Sequence, residues 1–248
     1  MARRRFFVSE VNDGGAVMAG DEARHLARVL RVEVGQRYEL SDGSRVCLAE
    51  VAAVRKDCVE FRVIEDIQPA PLMMRLSLLM ALIKFDHFEL VIEKATELGV
   101  VEIVPVITAR TEAGFEKAVP KRLERWQRIA VEASQQSRRD QLPKVWPAMP
   151  FAKALQWDAG QRYWLDEIAG GEPLLSAFPA ERSVQDSVAL LVGPEGGWTE
   201  AERAAAAARW KRVSMGRQIL RAETAALASL AVVTAAWLVP ASRDNEST

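Results

Sequence analysis

The sequence predicts an α/β protein: a small β domain over residues 1–68, a linker at 69–75, and a larger domain over 76–248 built on a mostly parallel sheet. Three observations carry this reading. Short alternating runs separated by turn residues fill the first part. Beyond Ile67-Gln68-Pro69-Ala70-Pro71, apolar strands alternate with amphipathic helices, the rhythm of a parallel sheet covered on both faces. Near the carboxyl end, two apolar runs each lead straight into a glycine-containing turn. Ligands of open α/β sheets bind beyond the carboxyl ends of the strands.

In chain order, Asp21 to Leu30 reads as a helix with Leu26, Val29 and Leu30 on one face. Arg24, Arg28 and Arg31 recur at helical spacing, so they are expected to share a face. That face is either simply solvated or a phosphate-binding stripe. Arg37–Leu40, Val46–Val51 and Val59–Ile64 alternate as strands, with turns at Ser41-Asp42-Gly43-Ser44 and Arg55-Lys56-Asp57. Such spacing suggests a small β-barrel. The prolines of Pro69-Ala70-Pro71 remove amide donors and favour an extended linker.

Leu76–Leu82 then reads as a buried strand, and Asp86 with Glu89 as a cap for a helix stopping at Gly99. Val100–Ile107 is a strand, Lys121–Gln136 a helix and Arg162–Asp166 a strand. Between Lys117 and Arg139 basic residues dominate, as an RNA-facing helix or a plain surface helix would show. Val188–Val192 is a buried strand that stops at Gly193-Pro194-Glu195-Gly196-Gly197-Trp198, where three glycines and a proline force a turn. Thr199 and Glu202 have capping-box spacing. Arg212–Met215 is a second short strand, ending at Gly216 and followed by a long alanine-rich helix to Leu238. The loops carry neither the Gly-Lys-Ser/Thr of a Walker loop nor a G-x-G-x-x-G fingerprint.

A net charge of -1 over 248 residues excludes a long electrostatic footprint, so any nucleic-acid contact must come from local basic patches. Two cysteines, Cys47 and Cys58, imply reduced thiols, and two histidines are too few for a usual zinc site; no metal is expected. The amino terminus lacks the apolar core of a signal peptide. Residues 224 to 242 are uncharged but too weakly apolar for a membrane span, so a buried or dimer-interface helix and a cytoplasmic protein are expected.

Leu191-Val192-Gly193-Pro194-Glu195-Gly196-Gly197-Trp198 and Met215-Gly216-Arg217-Gln218-Ile219-Leu220-Arg221-Ala222-Glu223-Thr224-Ala225 resemble the two carboxyl-terminal signatures of the RsmE family. These are SPOUT-class methyltransferases acting on uridine N3 in 16S ribosomal RNA. The family usually has Phe at Trp198, Leu at Met215 and Pro-Arg at Arg217-Gln218. Lys84 to Val100, Thr108-Ala109-Arg110-Thr111 and Ala133 to Arg139 resemble it too, with Gln135 replacing an acid and Arg138 a glycine. Arg4 to Val8 and His25 to Arg31 look like the start of its PUA-like RNA-binding domain.

The resemblance implies a carboxyl-terminal trefoil knot holding S-adenosylmethionine, a homodimer, and 16S rRNA or the small ribosomal subunit as partner. Transposed residue by residue, it implies cofactor contacts from Leu165, Leu191, Val192, Gly193, Pro194, Glu195, Gly196 and Gly197. Met215, Gly216, Ile219, Leu220, Arg221, Glu223, Thr224 and Ala225 complete the set. Backbone groups would read the adenine edge, with Leu165, Leu191, Ile219 and Leu220 covering its faces. Arg221 would either stabilise charge on the deprotonated uridine or pair with Glu223 or Glu195, and Glu195 is the candidate base or simply orients its loop. Arg4, Arg5, Arg24, Arg28, Arg31, Arg110, Arg138 and Arg139 are the expected RNA contacts. A non-catalytic assembly factor and a SPOUT enzyme with a transfer-RNA target are the alternatives.

Overall fold

The computed structural model describes residues 4–68, 74–168 and 170–238. The prolines expected as a linker, Pro69 and Pro71, lie outside the described residues. Contacts divide the chain into two units, one of Met1–Pro71 with Val131–Leu142, the other of Leu72–Ala130 with Pro143–Thr248.

In the first unit β1 (Arg5–Phe7), β2 (Ala16–Ala19), β3 (Arg37–Ser41), β4 (Val46–Arg55) and β5 (Cys58–Asp66) form one sheet in the order β1-β3-β4-β5-β2. β1 runs parallel to β3 and the other pairs are antiparallel. Lys56-Asp57 makes the tight turn between β4 and β5, and two register shifts bend β4. Phe6, Leu40, Cys47, Val51, Val59 and Phe61 fill the core. Both thiols are free; Cys58 is only partly buried.

The first helix departs from its expected form. α1 (Gly20–His25) gives way to a π-wound turn over Leu26–Leu30, and Arg31 follows with φ 51° in the left-handed region. Widening the turn rotates the side chains out of the 3.6-residue stripe. Leu26 is buried, Val29 is 65% exposed, and Arg31 lies past the end of the π-wound turn.

The second unit begins with β6 (Arg75–Ala81), α2 (Phe85–Glu97), β7 (Glu102–Ile107) and the first part of α3 (Phe115–Ser137). It continues through β8 (Lys144–Val145), β9 (Met149–Pro150), α4 (Phe151–Ala154), β10 (Gln161–Leu165) and β11 (Glu172–Pro173). Then come β12 (Ser187–Val192), α5 (Glu200–Ala207), β13 (Lys211–Ser214) and α6 (Ala222–Leu238). The sheet order is β11-β13-β10-β12-β6-β7-β8, with β9 beside β7, and every pairing is parallel.

Successive side chains on each strand serve opposite faces. Leu78, Met80, Leu190, Val192, Tyr163 and Leu165 face a core that includes α2 and α6. Leu79, Val104, Ala189, Leu191 and Trp164 face a second core closed by Trp198 and Trp210. No helix among the described residues is long and apolar enough to cross a membrane.

Two helix starts differ from expectation. Lys84, not a capping pair, precedes α2, and its side chain makes no capping hydrogen bond. Glu89 instead binds Arg122 (3.2 Å) and Arg125 (2.8 Å) of α3, which removes two cations from the expected basic face. α3 opens at Phe115 and contains Pro120. Phe115 stacks on Phe85 at 4.7 Å and Val119 is buried, so packing outweighs the amide that proline lacks.

Arg138, just beyond α3, has φ 56° and stands where the family pattern has glycine. A side chain in this conformation costs about 1–2 kcal/mol, partly offset because glycine loses more entropy on folding. Arg138→Gly is therefore expected to raise stability by about 0.5–1 kcal/mol. A lower urea midpoint for the variant would refute this.

Candidate active site

A cavity of about 1060 Å³ opens at the carboxyl ends of β10, β12 and β13. Its wall is built from the loop after β12, the loop after β13, and the starts of α2 and α6. The loop after β12 is shaped by Trp198. Its indole is buried between Phe151 and Trp164, and its Nε1–H donates to the Leu165 carbonyl at 2.9 Å. A Cβ on Gly193 would lie 2.8 Å from this ring, so only glycine fits beneath it. Gly197, at φ 70°, closes the turn by donating its amide to the Pro194 carbonyl at 2.9 Å.

Thr199 and Glu202 form the expected capping box at the start of α5. Glu202 Oε1 also accepts the Ala109 amide at 2.8 Å. The next residue, Arg110, donates to the Gly196 carbonyl. The loop after β7 is thereby tied to the loop after β12.

The floor carries a charge network. Asp166, buried at the end of β10, faces Arg203 Nε at 3.2 Å and Arg212 Nε at 2.8 Å. Burial works against the charge on Arg203, but Asp166, Glu167 and Glu200 outweigh it and hold the guanidinium above its usual range. After β13, the amides of Arg217, Gln218, Ile219 and Leu220 make no hydrogen bond to the protein among the described residues. Arg221 is exposed at the cavity and has no ion pair among the described residues. His87 enters the wall from α2, with Oε1 of Glu195 and Oε1 of Glu223 each 3.6 Å from its Nδ1.

Of the residues expected to hold a cofactor, Leu165, Val192, Gly193, Pro194, Glu195 and Gly197 line the cavity, as do Met215, Gly216, Ile219, Leu220, Arg221 and Ala225. Four do not. Leu191 points to the opposite face of β12, because alternation sends Val192 and not Leu191 toward α6, so it covers no face of a ligand here. The carbonyl of Gly196 is taken by Arg110. Glu223 sits behind His87, and Thr224 turns to solvent on α6.

Among the expected RNA contacts, Arg4, Arg28, Arg31 and Arg138 are exposed. Arg5 is a correction: it is buried, bound to Glu39 at 3.0 Å, to Asp140, and to the Arg138 carbonyl at 2.8 Å. Such a cation is already neutralised inside the fold. Arg24 is paired with Asp21 and Asp57, and Arg110 serves the cavity loop. Arg139 donates to the Gln141 carbonyl at 3.1 Å, and burial pulls its guanidinium down to about 10, so it stays charged near neutrality. Sequence reasoning missed His87 and the role of Trp198. The one signal for His87 was its place in the first helical turn after a parallel strand.

The RNA methyltransferase domain family matches residues 70–234, and the RNA methyltransferase PUA domain family matches residues 19–64. The chain is 34% identical over 221 residues to the ribosomal RNA small subunit methyltransferase E of Synechocystis, covering 86% of this chain and 71% of that one. It is 32% identical over 257 residues to the protein of that name from Mycobacterium bovis, with 98% and 96% covered. The structure of the Neisseria gonorrhoeae ribosomal RNA small subunit methyltransferase E bound to S-adenosyl methionine superposes with a TM-score of 0.83 at 29% identity, covering 95% and 98%. A putative methyltransferase from Legionella pneumophila, solved with the same cofactor, gives a TM-score of 0.86 at 26% identity, again covering 95% and 98%. With a parallel sheet, glycine-shaped loops after β12 and β13, and likeness over nearly its whole length, the chain belongs to the RsmE family of RNA methyltransferases.

Proposed function

We propose that the chain transfers a methyl group from S-adenosylmethionine to N3 of a uridine in 16S rRNA of the small ribosomal subunit. One observation carries the reading: a cavity lined by residues 217–220, whose amides make no hydrogen bond to the protein among the described residues, also presents the guanidinium of Arg221, which has no ion pair among them. The residues fit the donor. The amides of residues 217–220, without partners among the described residues, suit the edge of an adenine, while Leu165, Val192 and Ala225 supply apolar contact. When bound, the sulfonium supplies an activated methyl group, so the protein's own work is orientation and electrostatics. Arg221, at the cavity wall, would stabilise the carbonyl oxygens that gain charge when N3 loses its proton.

Residues 1–68 act as the RNA-binding domain and 76–248 as the methyltransferase domain. Exposed Arg4, Arg28, Arg31 and Arg138, with Arg139, are the phosphate contacts. The carboxyl-terminal segment forms the knot, a reading supported by β10 lying between β12 and β13 and by α6 packing on α2. The enzyme works in the cytoplasm as a homodimer, for which Ala231, Ala235 and Leu238 on the exposed side of α6 offer a close-packing stripe.

Mass spectrometry of 16S rRNA from cells with and without the protein is expected to show one N3-methyluridine that depends on it. S-adenosylmethionine at a hundredfold excess over its Kd is expected to stabilise the chain by about 2.7 kcal/mol. No cofactor-dependent rise in Tm and no missing methyl group would favour the assembly-factor reading.

A further inference from the structure

Methylation at N3 requires that the imide proton go somewhere, and the cavity wall carries an imidazole flanked by two carboxylates. His87, Glu195 and Glu223 come from three separate elements, and one ligand atom from each lies within 4.8 Å of the others. Glu223 is only 9% exposed, and its Oε2 has no hydrogen-bond partner among the described residues. His87 Nδ1 is likewise buried without a hydrogen-bond partner among the described residues, while the ring itself lines the cavity with 31% of its side chain exposed. A buried carboxylate with a bare oxygen beside an imidazole with a bare nitrogen is costly unless a proton is shared there when the site works.

We propose that His87 is the catalytic base for the uridine reaction and that Glu223, with Glu195, is its positioning partner. This rests on the reading of the cavity as a uridine-N3 methylation site. The two carboxylates at 3.6 Å favour a proton on Nδ1, which leaves the lone pair on Nε2. The geometry moves the base from Glu195, the candidate from sequence, to the imidazole, which is better matched to proton transfer near neutral pH.

The step balances without a further reactant. The N3–H bond breaks, its proton goes to His87 Nε2, and its electron pair stays on N3 and spreads to the carbonyls facing Arg221. N3 then bonds to the methyl carbon as the sulfur–carbon bond breaks with its electrons on sulfur. Water takes the proton from the imidazolium afterwards. The charged groups near the ring or in the same cavity wall are Asp86, with Oδ2 3.9 Å from Nε2, and Lys84 on the approach to α2. Glu195 follows β12, Arg217 and Arg221 follow β13, and Glu223 opens α6.

The test is single-turnover methyl transfer by the full chain to small ribosomal subunits, with the product located by mass spectrometry. His87→Gln is expected to lose about a hundredfold or more in rate, with cofactor Kd and RNA KM changed less than threefold. Its rate should keep rising with pH where wild type levels off. His87→Ala should regain part of the loss with added imidazole, which separates chemistry from a folding defect. Glu223→Gln should lower kcat and displace the acid limb of the profile, with Glu223→Asp recovering part of the rate.

A His87→Gln enzyme within threefold of wild type, or one with the wild-type pH profile, overturns the assignment. So does a wild type inactivated by chelator and restored by manganese or zinc, which would give the three side chains to a cation. If wild type makes no N3-methyluridine at all, the reading of the cavity falls and the base falls with it.

Discussion

Arg221→Ala is expected to lower the rate of methyl transfer by about a hundred- to a thousandfold, a loss of about 2.7–4 kcal/mol of transition-state stabilisation, while changing cofactor affinity less than threefold. The guanidinium stands at the cavity with no ion pair among the described residues, so its charge is available to a ligand and not spent on the fold. Its task arises only when the uridine carries negative charge, which is why the effect belongs in kcat. Equilibrium binding of S-adenosylmethionine alongside single-turnover rates decides the matter. Equal losses in both would make Arg221 a binding residue.

Gly193→Ala is expected to cost about 1–3 kcal/mol of stability from overpacking alone, and to weaken cofactor binding at least tenfold. The added Cβ would sit 2.8 Å from Cε2 and 2.9 Å from Nε1 of Trp198. The indole must then move, and moving it breaks the bond to the Leu165 carbonyl that fixes the end of β10 at the cavity. Trp198→Phe supplies the control, because phenylalanine, the usual family residue here, lacks the five-membered ring that the new Cβ meets. Gly193→Ala in that background should cost clearly less, as neighbours sharing one space are not additive. An unchanged cost in urea unfolding would show that the ring is not what excludes the side chain.

Most of the second unit was legible from local signals. Strands β6, β7, β10 and β12 lie within a residue or two of the apolar runs that announce them, and the Thr199–Glu202 box closes as spaced. These are short-range features, set by period, by turn residues and by capping. The errors occur where distant contacts override local preference. Pro120 is carried inside α3 because Phe115 and Val119 have an apolar surface to bury against. β2 pairs with β5 although Ala16–Ala19 has no strand signal of its own. The π-turn at Leu26–Leu30 breaks a stripe that an ideal helix would have kept.

The same division runs through the site. The sequence by itself determined that two backbone loops near the carboxyl end, following Val192 and Ser214, would shape a ligand cleft, because glycine and proline announce their own turns. Only the tertiary structure decided that Arg5 is locked in ion pairs, that Leu191 faces away, and that His87 meets Glu223. Those outcomes depend on which strands become neighbours and which face each side chain takes. Both are settled by burial across the whole sheet, not by residues adjacent in the chain.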